Sequence, residues 1–297
     1  MSSAPLFLAL AFPFLLPPAP VINAANVGQH PPLTNADAYS QITTTDKIVA
    51  LTLDDGPSRK YTPLALKTAK DEHIPLTFFL IGQEAVRRPD LVLEELAAGH
   101  VIGNHTWHHP LKDVGDERGA WEVHQTQLVL MGITGQRPTL FRPPGGQLNT
   151  GTAAAARANG LKIITWNVWP GDTNGRLSAA ALTKSVLAHV RPGSIILLHD
   201  GGANRGNSMA ALPMIVKALK AQGYTFLTVP DLLGRDKGGK GKGTAPAPGA
   251  GAASEQGSPT PEAPATPVQP PTVPSPAPLP HGVPAPVHPS VTLPRLP

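Results

Sequence analysis

From residue 47 to residue 229 the chain alternates short apolar runs with longer stretches whose apolar positions recur at helical spacing. The run 47–53 is apolar and β-branched and stops at Asp54, Asp55, Gly56 and Pro57, which reads as a buried strand feeding a turn. Further strands are expected at 76–81, 100–103, 139–142, 162–168, 194–198 and 225–229. Between them, helices are expected at 63–72, 89–98, around 121–130, 150–159, 178–190 and 207–222. Seven strands with such connections in about 190 residues imply parallel neighbours, because parallel pairs need crossover helices and strands covered on both faces read as continuous apolar runs. Polar residues fall at the C-terminal ends of these strands: Asp54 and Asp55, His105, Arg142, Asn167 with Asp172, and His199 with Asp200. Polar groups from five strand ends directed at one rim favour closure over an open sheet. The expected fold is α/β, a distorted (β/α)7 barrel forming a single domain.

Composition separates that domain from its flanks. Seventeen of the 36 prolines follow Asp236, in the stretch 237–297, which has no Phe, Tyr or Trp and cannot bury enough apolar surface to offset its chain entropy. It reads as a disordered, semi-extended tail rich in polyproline II. At the other end, the apolar run from Pro5 to Leu16, ending near Ala24 and Ala25, has the length of an export signal and is too short to span a bilayer. The expected organisation is signal 1–25, linker 26–45, domain 46–236 and tail 237–297, in an exported protein without an integral membrane span. The net charge is +4 and the basic residues are scattered, apart from Lys237, Lys240 and Lys242, so no nucleic-acid footprint is visible. The absence of cysteine excludes a disulfide framework, a thiolate zinc site and a cysteine nucleophile, but leaves metal sites built from His and Asp.

Each polar cluster has a chemical reading and a bland one. Asp54 and Asp55 reach one site only if the backbone bends, a bend that Gly56 and Pro57 could supply; otherwise they belong to a solvated turn. His105 and His109 have the i, i+4 spacing that places two metal ligands on one helical face, whereas His108 is offset and reads as a bystander. Arg142, followed by two prolines, Gly145 and Gly146, either builds an oxyanion site from free backbone N–H groups or lies exposed in a turn. His199, at the end of an apolar strand, is either a general acid or base or a packed histidine.

Taken together, these stretches resemble the NodB-homology polysaccharide deacetylases, carbohydrate esterase family 4, over nearly all of 46–236. The first family motif corresponds to 52–57, the second to 105–109, the third to 142–146 and the fifth to 197–199. The fourth survives only partly at 169–173, with Trp169 and Thr173 in place of an Asp and a Trp, and Gly145 stands where the third motif has an aromatic. The resemblance implies Asp54 as catalytic base, Asp55, His105 and His109 as metal ligands, and Thr106 as a brace for their loop. It further implies Arg142 orienting the base, Asp172 pairing with Arg142, Leu197 lining an acetyl-methyl pocket and His199 as general acid. The Gly145 N–H is expected to face the oxyanion. The implied cofactor is a divalent metal, zinc first, with cobalt, nickel or manganese fitting the same donors. The implied substrate is a polysaccharide containing N-acetylglucosamine, peptidoglycan or chitin-like. An acetylxylan-type esterase and a non-catalytic glycan-binding relative are the alternatives. The sequence specifies no protein partner.

Overall fold

The structure is a computed structural model that describes residues 38–238. The expected signal, most of the linker and all but two residues of the tail lie outside the described residues. Eight strands form one sheet, parallel throughout its named pairings. In chain order they are β1 (Ala38–Tyr39), β2 (Ile48–Asp54), β3 (Thr77–Leu80), β4 (Val101–Asn104), β5 (Leu140–Phe141), β6 (Lys162–Ile164), β7 (Ile195–His199) and β8 (Thr225–Leu227). Their spatial order is β1-β6-β5-β4-β3-β2-β7, with β8 also on β2. Ala50 pairs with both Ile195 and Leu227, so β7 and β8 flank β2 on opposite sides. Two isolated bridges close the ring: Gln41, just after β1, pairs antiparallel with Ser194, and beyond β6 the chain bends and returns at Val168, which pairs with Ile196 and accepts the Leu197 N–H at 2.9 Å. The barrel is therefore closed but distorted.

The two-residue period of the strands sorts their side chains. Val49, Leu51 and Leu53 of β2, with Phe78, Leu80, Ile196 and Leu198, share an outer core with residues of the surrounding helices. Ala50, Phe79, Leu140, Ile164 and Ile195 form a separate core in the barrel interior. Thr52 and Asp54 continue the Ala50 column, and Leu197 and His199 continue the Ile195 column. Each inner column thus becomes polar as it nears the C-terminal rim.

The helices are α1 (Thr62–Asp71), α2 (Gly82–Arg87), α3 (Pro89–Ala97), α4 (Asp116–Thr134), α5 (Gly151–Ala158), α6 (Ala179–His189), α7 (Gly206–Ala221) and α8 (Val229–Leu233). The seven expected strands are all present. β1, α2 and α8 were not expected, because they contain too few residues to display a period. β1 falls within the stretch read as linker, yet Ala38 and Ile42 are buried and the Tyr39 carbonyl accepts the Thr165 N–H at 2.9 Å. α4 begins at Asp116, ahead of its apolar period, with Asp116 and Glu117 in a first turn where the helix dipole favours acidic residues.

Glu95 of α3 is completely buried, and neither carboxylate oxygen has a hydrogen-bond partner among the described residues. Burial first, then the Asp200 charge, raises its pKa well above the ordinary value. The native state therefore holds a proton that the unfolded chain releases above about pH 4.3, and stability falls as pH climbs from there toward the raised native pKa. Glu95→Met, close in volume and without the ionisable group, should raise the urea midpoint at pH 8 and change it far less at pH 4.5. An equal change at both pH values would refute a protonated buried Glu95.

Candidate catalytic and metal site

Asp54 ends β2 with its side chain on the inner column, and Arg142 follows β5. Arg142 is fully buried. Its Nη1 donates to Asp54 Oδ1 at 2.6 Å and to Thr52 Oγ1 at 2.8 Å, Nη2 donates to the Thr165 carbonyl at 3.1 Å and Nε to the Ile164 carbonyl at 3.3 Å. The guanidinium carbon also lies 4.1 Å from the centre of the Phe79 ring. Burial lowers the Arg142 pKa, opposed by the Asp54 charge and hydrogen bond. The reading of an exposed Arg in a turn is thus excluded.

Asp55 would point outward in a regular strand, but it adopts the left-handed conformation with φ 72°. The bend is therefore at Asp55 itself, a residue type that tolerates this conformation better than most. The next residue is Gly56 for a different reason: a Cβ there would stand 2.7 Å from Asp200 Oδ1. The bend brings Asp55 Oδ1 to 3.5 Å from His105 Nε2 and 3.4 Å from His109 Nε2. The three ligand atoms lie within 4.8 Å of one another. His105 to His109 is a loop rather than the expected helix. Left-handed residues at Thr106 and His109 turn both imidazoles inward, and the Thr106 hydroxyl accepts the His109 N–H at 3.0 Å. His108 points instead at Glu122, whose Oε1 lies 2.9 Å from its Nδ1.

The donor set fits a divalent cation. Asp55 Oδ1 is buried without a hydrogen-bond partner among the described residues. His105 Nδ1 lies 2.7 Å from the Arg142 carbonyl, which can only accept, so Nδ1 carries a proton and Nε2 is the nitrogen turned toward Asp55. Burial, followed by the neighbouring His105, lowers the His109 pKa to about 4, keeping that imidazole neutral near pH 7. For Asp55, burial opposes ionisation, but the neighbouring His105, with His199 and His109, outweighs it and holds the carboxyl well below the usual range. An ionised carboxylate and two imidazole nitrogens turned toward it are the donors that metal ligation requires.

Across the rim, His199 ends β7. Its Nδ1 lies 2.9 Å from Asp172 Oδ1 and its backbone N–H donates to Asp172 Oδ2 at 2.8 Å. Burial disfavours the imidazolium, but the Asp172 charge and hydrogen bond more than compensate, and the His199 pKa is raised. Asp172 does not pair with Arg142 as expected, because every hydrogen bond the guanidinium makes goes to Asp54, Thr52 or the Ile164 and Thr165 carbonyls at the end of β6. Two other expected rim groups are occupied elsewhere. Asn167 accepts the Ile195 N–H at 2.9 Å and serves the closure of the sheet. Asp200 turns back to the Thr62 hydroxyl, and burial raises its pKa to about 7. Leu197 is buried on the same column as His199, and Gly145, φ 60°, occupies a 3₁₀ turn at Pro144–Gly146.

Sequence reasoning missed Thr52, Ser208 and Arg205. The Ser208 hydroxyl donates to Asp172 Oδ2 at 2.8 Å. Arg205, also buried, has Nη2 3.6 Å from Asp55 Oδ2 and bonds the Gly201 carbonyl through Nε at 2.6 Å. It holds the Asp55 oxygen that faces away from the histidines. The only signal in the sequence is a lone basic residue in a Gly-rich loop after a strand.

The profile of the polysaccharide deacetylase family matches residues 41–164. The chain is 36% identical over 196 residues to a peptidoglycan-N-acetylglucosamine deacetylase of Bacillus cereus, covering 65% of this chain and 91% of that protein. It is 39% identical over 191 residues to the peptidoglycan-N-acetylglucosamine deacetylase PgdA of Listeria monocytogenes, covering 64% of this chain but only 40% of PgdA. The crystal structure of the Bc1960 peptidoglycan N-acetylglucosamine deacetylase superposes with a TM-score of 0.62 at 34% identity, over 65% of this chain and 91% of that one. The chain belongs to the NodB-homology polysaccharide deacetylases.

Chelator-stripped protein should take up one zinc ion per chain in a calorimetric titration, and His105→Ala should take up none. Arg205→Met should weaken uptake by about 10–100-fold, the usual effect of removing a group that orients a ligand, with Arg205→Lys in between. Wild-type affinity in Arg205→Met would refute its role in holding Asp55.

Proposed function

We propose that this protein is a metal-dependent hydrolase that removes N-acetyl groups from a glycan containing N-acetylglucosamine, with peptidoglycan the first substrate and chitin-like oligomers the second. The observation that carries the proposal is the pairing of two carboxylates at the end of β2: Asp54 held by Arg142, Asp55 facing His105 and His109, and the Asp172–His199 pair across the rim. A divalent ion on Asp55, His105 and His109, zinc before cobalt, nickel or manganese, supplies Lewis acidity toward the acetyl carbonyl and lowers the pKa of water. Asp54 takes the proton from the attacking water, and Arg142 fixes the carboxylate through Oδ1 while Oδ2 faces the site. The Gly145 N–H donates to the developing oxyanion, and Leu197 walls the acetyl methyl. His199, protonated at both nitrogens and held through Nδ1 by Asp172, gives its Nε2 proton to the departing amine.

The likeness to two peptidoglycan deacetylases supports a substrate in the cell wall, and the export signal expected at 1–25 would agree with that reading. Among the described residues no helix is long and apolar enough to cross a membrane.

Acetate release measured in parallel from peptidoglycan, chitin oligomers and acetylxylan tests the reading. Release should be greatest from peptidoglycan and should stop on chelation; release from acetylxylan alone would overturn it. Asp54→Asn should retain zinc and lose about 10²–10⁴-fold in kcat. Activity should follow a bell-shaped pH profile whose alkaline limb is His199 losing its proton. Because Asp172 raises that pKa, Asp172→Asn should move the alkaline limb to lower pH. An unmoved limb would remove His199 from the role of acid.

A further inference from the structure

The loop between β6 and α6 carries an indole that the proposed chemistry does not use. Trp169 is 45% exposed, and isolated exposed apolar side chains are common on soluble proteins. Its connections set it apart. The Nε1–H donates to Asp172 Oδ1 at 3.0 Å, the same oxygen that holds His199 Nδ1, so indole and imidazole share one acceptor. The ring meets Trp166 edge-on with centroids 6.4 Å apart. Trp166 in turn lies against the Gly145–Gly146 turn, where a Cβ on Gly146 would stand 2.9 Å from its Cη2. A continuous wall therefore runs from that turn through Trp166 and Trp169 to Asp172 and His199. Trp169 is pinned by its N–H and braced by a second ring, so it presents a fixed aromatic face rather than a mobile side chain.

We propose that Trp169 is a specificity-determining residue whose exposed face stacks on the C–H face of a pyranose ring and sets that ring in register with His199. The proposal deepens the glycan-deacetylase reading and rests on it. A pyranose presents an apolar C–H face with hydroxyls at its edge, which matches an indole that is apolar on its face and has its N–H already satisfied. Immobilisation of Trp169 before binding removes the ordering cost that a free side chain would carry. Because the same N–H bonds Asp172, the stacked sugar and the group that holds His199 are fixed relative to each other.

Binding and turnover are measured separately. Zinc-loaded Asp54→Asn protein is titrated calorimetrically with the N-acetylglucosamine tetramer, alone and combined with Trp169→Phe or Trp169→Ala; zinc stoichiometry and circular dichroism verify the fold. Trp169→Ala should weaken tetramer binding by about tenfold, the loss of one aromatic contact, and Trp169→Phe by less than threefold. In otherwise native protein, Trp169→Ala should raise KM for acetate release by a similar factor. Trp169→Phe, which keeps a ring but loses the bond to Asp172, should lower kcat with little change in KM. Tetramer affinity within twofold of the parent in a folded, zinc-loaded Trp169→Ala protein would overturn the proposal, as would a parent that binds no tetramer. Trp169-dependent tetramer binding by a native protein that releases no acetate from any glycan would support the stacking role and overturn the deacetylase reading.

Discussion

Arg142 holds the upper half of the barrel together. A fully buried guanidinium is costly unless its donors are satisfied, and here they converge on Asp54, Thr52 and the Ile164 and Thr165 carbonyls at the end of β6. Its backbone carbonyl receives the His105 Nδ1 proton. One residue thus fixes the candidate base through its side chain and a candidate metal ligand through its main chain, while joining β2 to the segment that bends back to close the ring. Removing Asp54 or Arg142 outright would strand a buried charge, a loss of about 3–5 kcal/mol. Isosteric replacement of Asp54 is the gentler perturbation because an amide oxygen can still accept from the guanidinium.

The other side of the rim is built on the same rule applied to an anion. Asp172 accepts from the His199 N–H, the Ser208 hydroxyl and the Trp169 indole, and it pairs with the His199 ring. Those donors and the His199 charge lower its pKa despite burial, and its own charge in turn raises the His199 pKa. Across the site, burial and neighbouring imidazoles keep His109 neutral. The pKa values of two histidines on one rim are thereby pushed in opposite directions, His199 up toward giving a proton and His109 down toward donating a lone pair.

Much of this was legible in the sequence because strands covered on both faces leave continuous apolar runs, and the polar residue that ends each run marks the rim. Asp54, His105, Arg142 and His199 were found in that way. The i, i+4 spacing of His105 and His109 brought the correct pair together for the wrong reason. Helical geometry was assumed, whereas two left-handed residues in a loop perform the convergence, and hydrophobic periodicity carries no information on such backbone angles. Arg205, Ser208 and the Asp172–His199 pairing were missed because each depends on distance across the barrel rather than along the chain. β1 was missed because two residues cannot show a period.

The rim is where the chain departs most from its family's pattern, and the structure changes what the departure at Gly145 means. A glycine in place of an aromatic removes a side chain from this turn. In the fold, Gly145 is left-handed, so an L-residue there would carry roughly 1–2 kcal/mol of backbone strain. The space beside it is bordered at ordinary van der Waals distance. A Cβ would meet Leu111 Cδ2 at 3.7 Å and Gln147 Nε2 at 3.6 Å, and the Gln147 amide is tied to the Leu111 carbonyl. The loop after His109 therefore leans over the turn and supplies an apolar side chain, Leu111, that is 60% exposed. The rim beside Gly145 is lined by Leu111 on the metal-loop side, and Trp166 and Trp169 lie on the His199 side.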